Sequence, residues 1–158
     1  MFYFEEMNGY KVLKSDFGVN AGLNHCFTTR GVELNNVYPE YIYPHPQQTH
    51  SDNIEIVDER IEYPDTDGLI ITEKNRPIAL RFADCTPLIF YDTKQKIGAI
   101  SHAGWRGTAQ KIGPKTILKM GINFDSNPDD IIAIIGPAIG LCCYEVSDDV
   151  RNKLLETV

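Results

Sequence analysis

The chain has 158 residues, of which 42% are hydrophobic and 23% charged, a composition that is typical of one globular domain with its own core and excludes a disordered chain. Its formal net charge of −7 at pH 7 and the lack of a long basic run argue against a nucleic-acid polymer or an anionic membrane as partner. No apolar run approaches membrane-spanning length, and the first residues do not resemble a signal peptide. The four cysteines are too few and too irregularly spaced for a disulfide framework, so we expect reduced thiols and a cytoplasmic location.

Short strands separated by turns and loops are predicted over the first two thirds of the chain. The segment 24–31 is expected to be a strand that ends at Arg30 and Gly31. Prolines exclude a helix from the start of the segment 35–57, which is expected to be a loop that becomes a strand at "NIEIV". Apolar runs then predict further strands in "DTDGLIIT", "PIALRFA", "PLIFYD" and "IGAISHA".

Two long helices and one more strand are predicted in the last third. In residues 107–121 apolar side chains recur at helical spacing, Pro114 is expected to kink or restart the helix, and Gly121 to end it. "DDIIAIIGPAIG" predicts a buried strand, and a final helix begins near Ser147 with an apolar stripe that earlier strands or further chain must cover. That stripe consists of Val150, Leu154 and Val158. Because strands follow one another more often than they alternate with helices, the pattern favours an α+β fold.

His50, Cys85 and His102 each interrupt an apolar strand pattern where a loop meets a strand. Such strand ends are where functional groups gather on a rigid scaffold. Two imidazoles and a thiolate can bind zinc and leave a fourth position for a water, whose pKa falls to about 7. None of the short zinc signatures occurs, and the same residues permit a Cys85 nucleophile with His102 as base, a copper site, or a buried cysteine with two hydrogen-bonded histidines.

The stretch "GWRG" is typical of a corner that recognises a ligand. Gly104 and Gly107 allow close approach of the backbone, and a helix starting near Gly107 would direct amide groups at an anion. The guanidinium of Arg106 suits a phosphate or carboxylate, and the alternative is a pair with a surface acid. Trp105 either stacks on a planar base or belongs to the core.

Other charged residues have both functional and structural interpretations. Arg30 is a second candidate for anion binding, whereas Arg81, within a predicted apolar strand, is expected to form a structural ion pair. Asp84 either orients a ligand, or carries protons, or caps a loop. Asp67, which precedes a glycine, is either an acid–base group or a turn residue.

Cys142 and Cys143 are adjacent in the sequence. Adjacent cysteines seldom bridge each other. Because side chains alternate in direction along an extended segment, one of the two is expected to face the core as a small hydrophobic residue.

Six segments together resemble the YfiH-like family, which was once described as multicopper polyphenol oxidases or laccases and is now regarded as zinc-dependent purine nucleoside phosphorylases. They occur in the family's order and cover most of residues 26–146. As a set they are highly specific. The segments are "FTTRG", "QTHSDN", "DTDGLIIT", "ADCTPLIFYD", "SHAGWRGT" and "GPAIGLCCYEV".

The resemblance implies a zinc site whose ligands are His50, Cys85 and His102, with copper as the alternative metal. It also implies phosphorolysis of adenosine, inosine, guanosine and methylthioadenosine, together with adenosine deamination. The partners expected are therefore purine nucleosides and phosphate. We expect Cys85, His102 and Asp84 to be the catalytic residues, and Arg106 and Arg30 to bind phosphate.

The fold that the resemblance implies is an α+β, αββα layered sandwich with mixed β-sheets, related in architecture to a group of toxin cysteine hydrolases. We expect residues 1–158 to form a single catalytic domain, monomeric or homodimeric, that is shortened or truncated relative to the family and incomplete at the C-terminus. Alternative functions are a cysteine hydrolase or deamidase that uses Cys85 and His102, a copper-dependent polyphenol oxidase, and a domain that only binds a ligand or partner.

Overall fold

The computed structural model describes residues 1–157, and the chain divides into two compact units, Met1–Ile42 and Tyr43–Val158. One domain can contain two such units, so a single catalytic domain over residues 1–158 stays a prediction. Val158, the last residue of the predicted apolar stripe, lies outside the described residues. Within residues 1–157, no helix has both the length and the apolar character that crossing a membrane requires.

The first unit is built on a β-hairpin whose turn is Asn8-Gly9. Both turn residues have positive φ, as tight hairpin turns require, and Asn-Gly is the commonest pair at such turns. A third strand pairs antiparallel with the second. A strand is predicted over 24–31, but only two of these residues, Phe27 and Thr28, form one. The elements are β1 (Phe2–Met7), β2 (Tyr10–Ser15), α1 (Asp16–Asn20), β3 (Phe27–Thr28) and α2 (Leu34–Val37). The exclusion of a helix from the start of the segment 35–57 is therefore wrong, because α2 ends before Pro39, the first of its prolines.

The second unit contains a five-stranded mixed sheet. Neighbouring strands pair antiparallel except the last two, which are parallel. In spatial order the strands are β10 (Ile131–Ile135), β8 (Thr86–Asp92), β9 (Ile97–Ala103), β7 (Gly68–Ile71) and β5 (Ile54–Ile56). β4 (His45–Pro46) and β6 (Glu62–Tyr63) form a separate parallel pair. Mixed sheets combined with helices confirm the predicted α+β class.

The long helix predicted over 107–121 is two helices in the structure. They are α3 (Trp105–Ala109) and α4 (Ile112–Phe124). Lys111 separates them because its backbone is left-handed, with φ 63°. Pro114 lies in the first turn of α4, where an N–H has no helical partner, so it restarts the helix rather than kinking it. The predicted end at Gly121 is wrong, because α4 continues to Phe124.

Both faces of the sheet are covered. On one face α4 packs through Ile112 and Met120 onto a buried cluster that includes Ile70. Because side chains alternate along a strand, Leu69 and Ile71 belong to a second cluster. The apolar run "PIALRFA" covers that second cluster through Ile78 and Leu80 but forms no strand, so the strand predicted there is wrong. Its alternation reflects burial of a loop rather than pairing in a sheet.

The final predicted helix is confirmed as α5 (Asp148–Leu155), preceded by Ser147 at the N-cap position. α5 packs against α3. Val150 and Leu154, the two described residues of the predicted stripe, are half-buried. A helix rather than a strand is therefore the neighbour of α5.

Candidate metal centre

Two neighbouring strands bring Cys85 and His102 to one end of the sheet. Cys85 directly precedes β8, and His102 is the second-to-last residue of β9. In the antiparallel register His102 lies opposite Pro87, two residues after the cysteine. The register of one strand pair thus joins two residues that are 17 positions apart in the sequence.

His50 reaches the same place from the loop that precedes β5. The potential ligand atoms of His50, Cys85 and His102 all lie within 4.8 Å of one another. The two imidazole rings meet edge to face, with centroids 4.8 Å apart. His102 is buried, Cys85 is half-buried and His50 is exposed, so the cluster opens toward solvent on the side of His50.

The fully buried carboxylate of Asp67 holds the loop that carries His50. Its Oδ2 accepts the backbone N–H groups of Thr49 at 3.0 Å and Ser51 at 2.9 Å, and also the Ser51 hydroxyl at 2.9 Å. Its Oδ1 accepts the backbone N–H of His50 at 3.1 Å. His50 has φ 62°, which is uncommon for a residue with a side chain. These hydrogen bonds fix that conformation.

Asp67 also orients His102. The carboxylate Oδ1 lies 2.7 Å from His102 Nδ1, and the His102 backbone N–H donates to the carbonyl of Asp67, again at 2.7 Å. A proton on Nδ1 leaves the lone pair on Nε2, which is the arrangement of metal-binding histidines backed by a carboxylate. Burial alone would raise the pKa of Asp67, but hydrogen bonds from His102, Thr49 and Ser51 outweigh it and lower that pKa. Asp67 is therefore an ionised organiser of the cluster rather than a turn residue.

Gly104 is a close neighbour of two members of the cluster. A Cβ at this position would lie 3.0 Å from Cys85 Sγ and 3.0 Å from His50 Cδ2, closer than ordinary contact. Any larger residue at this position would therefore have to displace Cys85 Sγ or the His50 ring. Phe82 packs its ring beside His102, with centroids 5.4 Å apart, and so adds an apolar wall.

The electrostatic surroundings of Cys85 suit a cation. Burial raises the pKa of the Cys85 thiol, and the negative charges of Asp84 and Asp67 raise it further. A thiolate at this position therefore needs a positive charge, which a divalent metal supplies. One sulfur and two imidazole nitrogens form a donor set that suits zinc or copper and leaves a position for a further ligand. The residues present thus fit such a metal.

Asp84 lies beside this cluster, and Arg106 lies on α3. Asp84 is exposed, and its backbone carbonyl accepts the N–H of Ile139 at 2.9 Å. The Arg106 guanidinium lies 4.5 Å from the ring centroid of Trp105. The Trp105 ring is half-buried and also has Lys153 Nζ 5.5 Å from its centroid, so it is not a fully buried core residue. Stacking of Trp105 on a planar base stays a prediction.

Other predicted positions need correction. α3 begins at Trp105 with Gly104 at its N-cap, so Gly107 lies inside the helix and not at its start. Arg81 is exposed on the loop over the second cluster, and its backbone N–H and carbonyl bind the side-chain amide of Gln48. The expectation of a charge buried in a strand is therefore wrong. Arg30 is exposed in the first unit, and its phosphate-binding role stays a prediction.

The family model described as multi-copper polyphenol oxidoreductase laccase matches residues 27–158 of this chain. Among curated proteins, the chain is similar to the purine nucleoside phosphorylase YlmD of Bacillus subtilis, with 45% identity over 89 residues, which are 56% of this chain and 32% of that protein. It is also similar to the adenosine deaminase RL5 of an unidentified prokaryote, with 35% identity over 115 residues, 66% of this chain and 44% of that protein. The chain thus spans less than half of the length of these relatives.

A solved structure has the same fold. The crystal structure of the Bacillus licheniformis hypothetical protein YfiH superposes with a TM-score of 0.67 and 42% sequence identity, over 72% of this chain and 46% of that one. The fold that the six sequence segments imply is confirmed by this likeness.

Proposed function

Because this chain belongs to the family described as multi-copper polyphenol oxidoreductase laccase, whose relatives include purine nucleoside phosphorylases and an adenosine deaminase, we propose that it is a zinc-dependent enzyme of purine nucleosides. Its proposed reactions are phosphorolysis of adenosine, inosine, guanosine and methylthioadenosine, and deamination of adenosine. The observation that carries the proposal is the cluster of His50, Cys85 and His102, with ligand atoms within 4.8 Å of one another.

In this proposal His50, Cys85 and His102 hold the metal. Zinc bound by such a set supplies activation of a water at neutral pH, which suits attack on C6 of adenine. The Asp67 carboxylate keeps the His102 proton on Nδ1, so that Nε2 points its lone pair at the cluster. The hydrogen bonds of Asp67 to residues 49–51 keep the exposed His50 in position for a ligand.

Phosphorolysis breaks the bond between ribose C1′ and the purine nitrogen and joins C1′ to a phosphate oxygen, while the purine leaves with a proton. We assign movement of that proton to Asp84, whose exposed carboxyl group adjoins Cys85. Phosphate binding is assigned to Arg106, and Arg30 of the first unit is kept as a separate candidate for that role. Stacking of Arg106 on Trp105 restrains its guanidinium, which leaves the N–H donors in the guanidinium plane for an anion.

The Asp67–His102 hydrogen bond favours one second candidate, a cysteine hydrolase or deamidase. In acyl-transfer triads an aspartate is hydrogen-bonded to a histidine, which in turn lies next to the nucleophile, and Asp67, His102 and Cys85 follow this order. The raised pKa of Cys85 counts against this candidate, because an activated nucleophilic cysteine has a lowered pKa.

Copper chemistry is a weaker alternative. A multinuclear copper cluster needs more histidines than the four in the chain. Two of these bind elsewhere, since His25 Nε2 accepts the Ser15 backbone N–H and His45 pairs with Glu62. A single His₂Cys copper centre would give a blue protein, whereas a zinc protein is colourless.

The discriminating experiment measures zinc content and phosphate-dependent cleavage of inosine on the same purified protein. We expect zinc near one per chain, cleavage that requires phosphate, and loss of both after treatment with a chelator. Activity that survives chelation but is blocked by a thiol reagent would instead identify the cysteine hydrolase. Bound zinc without cleavage of any of the four nucleosides would indicate a domain that only binds its ligand.

A further inference from the structure

A second group of reactive side chains lies outside the metal cluster, in the segment between β10 and α5. The sulfur atoms of Cys142 and Cys143 lie 3.1 Å apart, and both residues are exposed. The expectation that one of them faces the core is therefore wrong. The cause is a turn: the backbone N–H groups of Cys143 and Tyr144 both donate to the carbonyl of Gly140, so side chains do not alternate as in a strand.

We propose that Cys142 and Cys143 form a thiol–disulfide exchange site, which small-molecule disulfides oxidise reversibly to a disulfide between the two neighbouring residues. This site is independent of the proposed metal centre and of the proposed nucleoside chemistry. It differs from the chain's other two cysteines, Cys26 and Cys85, which are half-buried.

Proximity is the first argument. The sulfur–sulfur distance of 3.1 Å is about 1 Å longer than a disulfide bond, so the two atoms start close to bonding distance. Exposure is the second argument, because thiol exchange needs in-line access of a second disulfide to the attacking sulfur. Among the cysteines of residues 1–157, both conditions hold at this pair and not at Cys26 or Cys85.

The chemistry is a two-step exchange. The Cys142 thiolate attacks one sulfur of a small disulfide RSSR, forming a mixed disulfide and releasing RS⁻, which takes up a proton. The Cys143 thiol then loses its proton and attacks the Cys142 sulfur, forming the Cys142–Cys143 bond and releasing the second RS⁻. Two electrons pass from the pair to RSSR, and the products are one protein disulfide and two RSH.

The order of the two cysteines is assigned from their contact. The hydrogen bond with the Cys142 sulfur raises the pKa of Cys143, a direction that supports Cys142 as the attacking thiol, and the exchange balances equally with the two roles reversed. Cys26 and Cys85 are half-buried, so a disulfide reagent reaches them less easily, and in the proposed metal centre Cys85 is in addition held by zinc.

The geometry also predicts that the bond is labile. Consecutive Cα atoms are about 3.8 Å apart across a trans peptide, whereas disulfides usually join Cα atoms about 4.4–6.8 Å apart. A disulfide between neighbours is therefore strained, and strained exposed disulfides are the easily reduced, regulatory ones. Such transient oxidation is compatible with a reducing compartment.

The turn that carries the pair is fastened to the strand end beside the metal cluster. The N–H of Gly136 donates to the carbonyl of Pro87, and the N–H of Ile139 donates to that of Asp84, each at 2.9 Å. Because Asp84 directly precedes Cys85, disulfide formation at Cys142 and Cys143 must be distinguished from oxidation of the metal cluster's own cysteine. Zinc content after oxidation makes that distinction, because exchange at the turn leaves the cluster's own thiol unchanged.

The test treats the full zinc-loaded chain with oxidised glutathione, quenches it with acid, alkylates the remaining thiols and identifies peptides by mass spectrometry. We expect the peptide that contains Cys142 and Cys143 to lose two hydrogen atoms, to carry neither glutathione nor alkyl group, and to recover both thiols with dithiothreitol. Zinc content should not change. The Cys143→Ser variant should accumulate one glutathione on Cys142.

Three outcomes would overturn the proposal. The first is full alkylation of Cys142 and Cys143 under conditions in which the oxidant has modified Cys26 or Cys85. The second is a stable glutathione adduct on each of Cys142 and Cys143, and the third is a disulfide that joins these cysteines to those of another chain. The matched control is Cys26→Ser, which should leave the mass change at the pair as it is in the wild type.

Discussion

The carboxylate of Asp67 lies 2.7 Å from Nδ1 of His102 and also accepts three backbone N–H groups of residues 49–51. One buried side chain thus sets the tautomer of one potential ligand and the backbone conformation of another. The third potential ligand, Cys85, is placed independently by the register of β8 and β9. The site therefore depends on a residue that would not itself touch the metal.

Replacing Asp67 with Asn should weaken zinc binding. The asparagine side chain is neutral and has an NH₂ donor where the carboxylate has its second acceptor oxygen, so it cannot accept all of these hydrogen bonds. Loss of a carboxylate behind a metal-binding histidine typically costs about 10–100-fold in affinity. Competition with a chromogenic chelator measures this affinity. The matched control is Asp129→Asn, which changes an exposed aspartate in the 3-10 turn before β10 and should bind zinc as the wild type does. Equal affinity in the two variants would contradict the role given to Asp67.

Replacing Gly104 with Ala should displace the potential ligands without removing any of them. The added Cβ would lie 3.0 Å from both Cys85 Sγ and His50 Cδ2, and relief of such overpacking costs about 1–3 kcal/mol. We expect lower zinc occupancy with a retained far-ultraviolet circular dichroism spectrum. The control Gly98→Ala, on the same strand as His102, meets only an ordinary contact of 3.4 Å to Ile71 and should keep its zinc. Full occupancy in the Gly104 variant would argue against a metal at this place.

The free energy of unfolding should decrease as the pH is lowered from neutral to mildly acidic, because of His25 in the first unit. Burial lowers the pKa of His25, and its Nε2 accepts the Ser15 N–H at 3.0 Å, so the folded chain holds this imidazole neutral. Below the unfolded-state pKa of about 6.5 the unfolded chain binds the extra proton, and stability is lost until the folded-state pKa is reached. Asp67 contributes in a lower window, because its carboxyl pKa is depressed and its stabilisation is lost only in acid.

Urea unfolding followed from pH 7.5 to 5.5 measures this effect. His25→Asn should show a smaller loss of stability over this interval than the wild type. His45→Gln, which changes an exposed histidine, should keep the wild-type dependence. A wild-type slope that persists in the His25 variant would assign the pH dependence to other groups.

The end of α4 offers a test of backbone conformation. Asp125 closes this helix with φ 55°, a left-handed conformation that glycine adopts at no steric cost. Asp125→Gly should therefore raise the free energy of unfolding by about 0.5–1 kcal/mol. Asn123→Gly, in the last turn of α4, should lower it by about a few tenths of a kcal/mol, since glycine has a lower helix propensity than asparagine. The same sign for both variants would contradict the helix boundary.

The residues of the cluster were predictable from the sequence, whereas its support was not. His50, Cys85 and His102 stand out because each breaks an apolar pattern, and the structure brings their ligand atoms together. Asp67 has no such signal, since an aspartate before a glycine is equally typical of a turn. Its partners lie 16 to 35 residues away, and only tertiary structure shows which amides it meets.

The elements were predicted best where apolar periodicity was long and its cause was pairing in a sheet. β8, β9 and β10 follow their apolar runs. The run around Ile78 and Leu80 has the same pattern, but it is a loop that covers the sheet, and periodicity cannot distinguish the two. The hairpin at Asn8-Gly9 was not predicted, although the Asn-Gly pair is itself a strong signal for a tight hairpin turn.

The most direct test of the central claim is the zinc content per chain of the wild type and of His102→Ala, measured by elemental analysis after dialysis against metal-free buffer. The account predicts about one zinc per wild-type chain, and a folded His102→Ala variant that retains little zinc and has no phosphate-dependent cleavage of inosine. A His102→Ala variant that kept the wild-type zinc content and the full rate would contradict it.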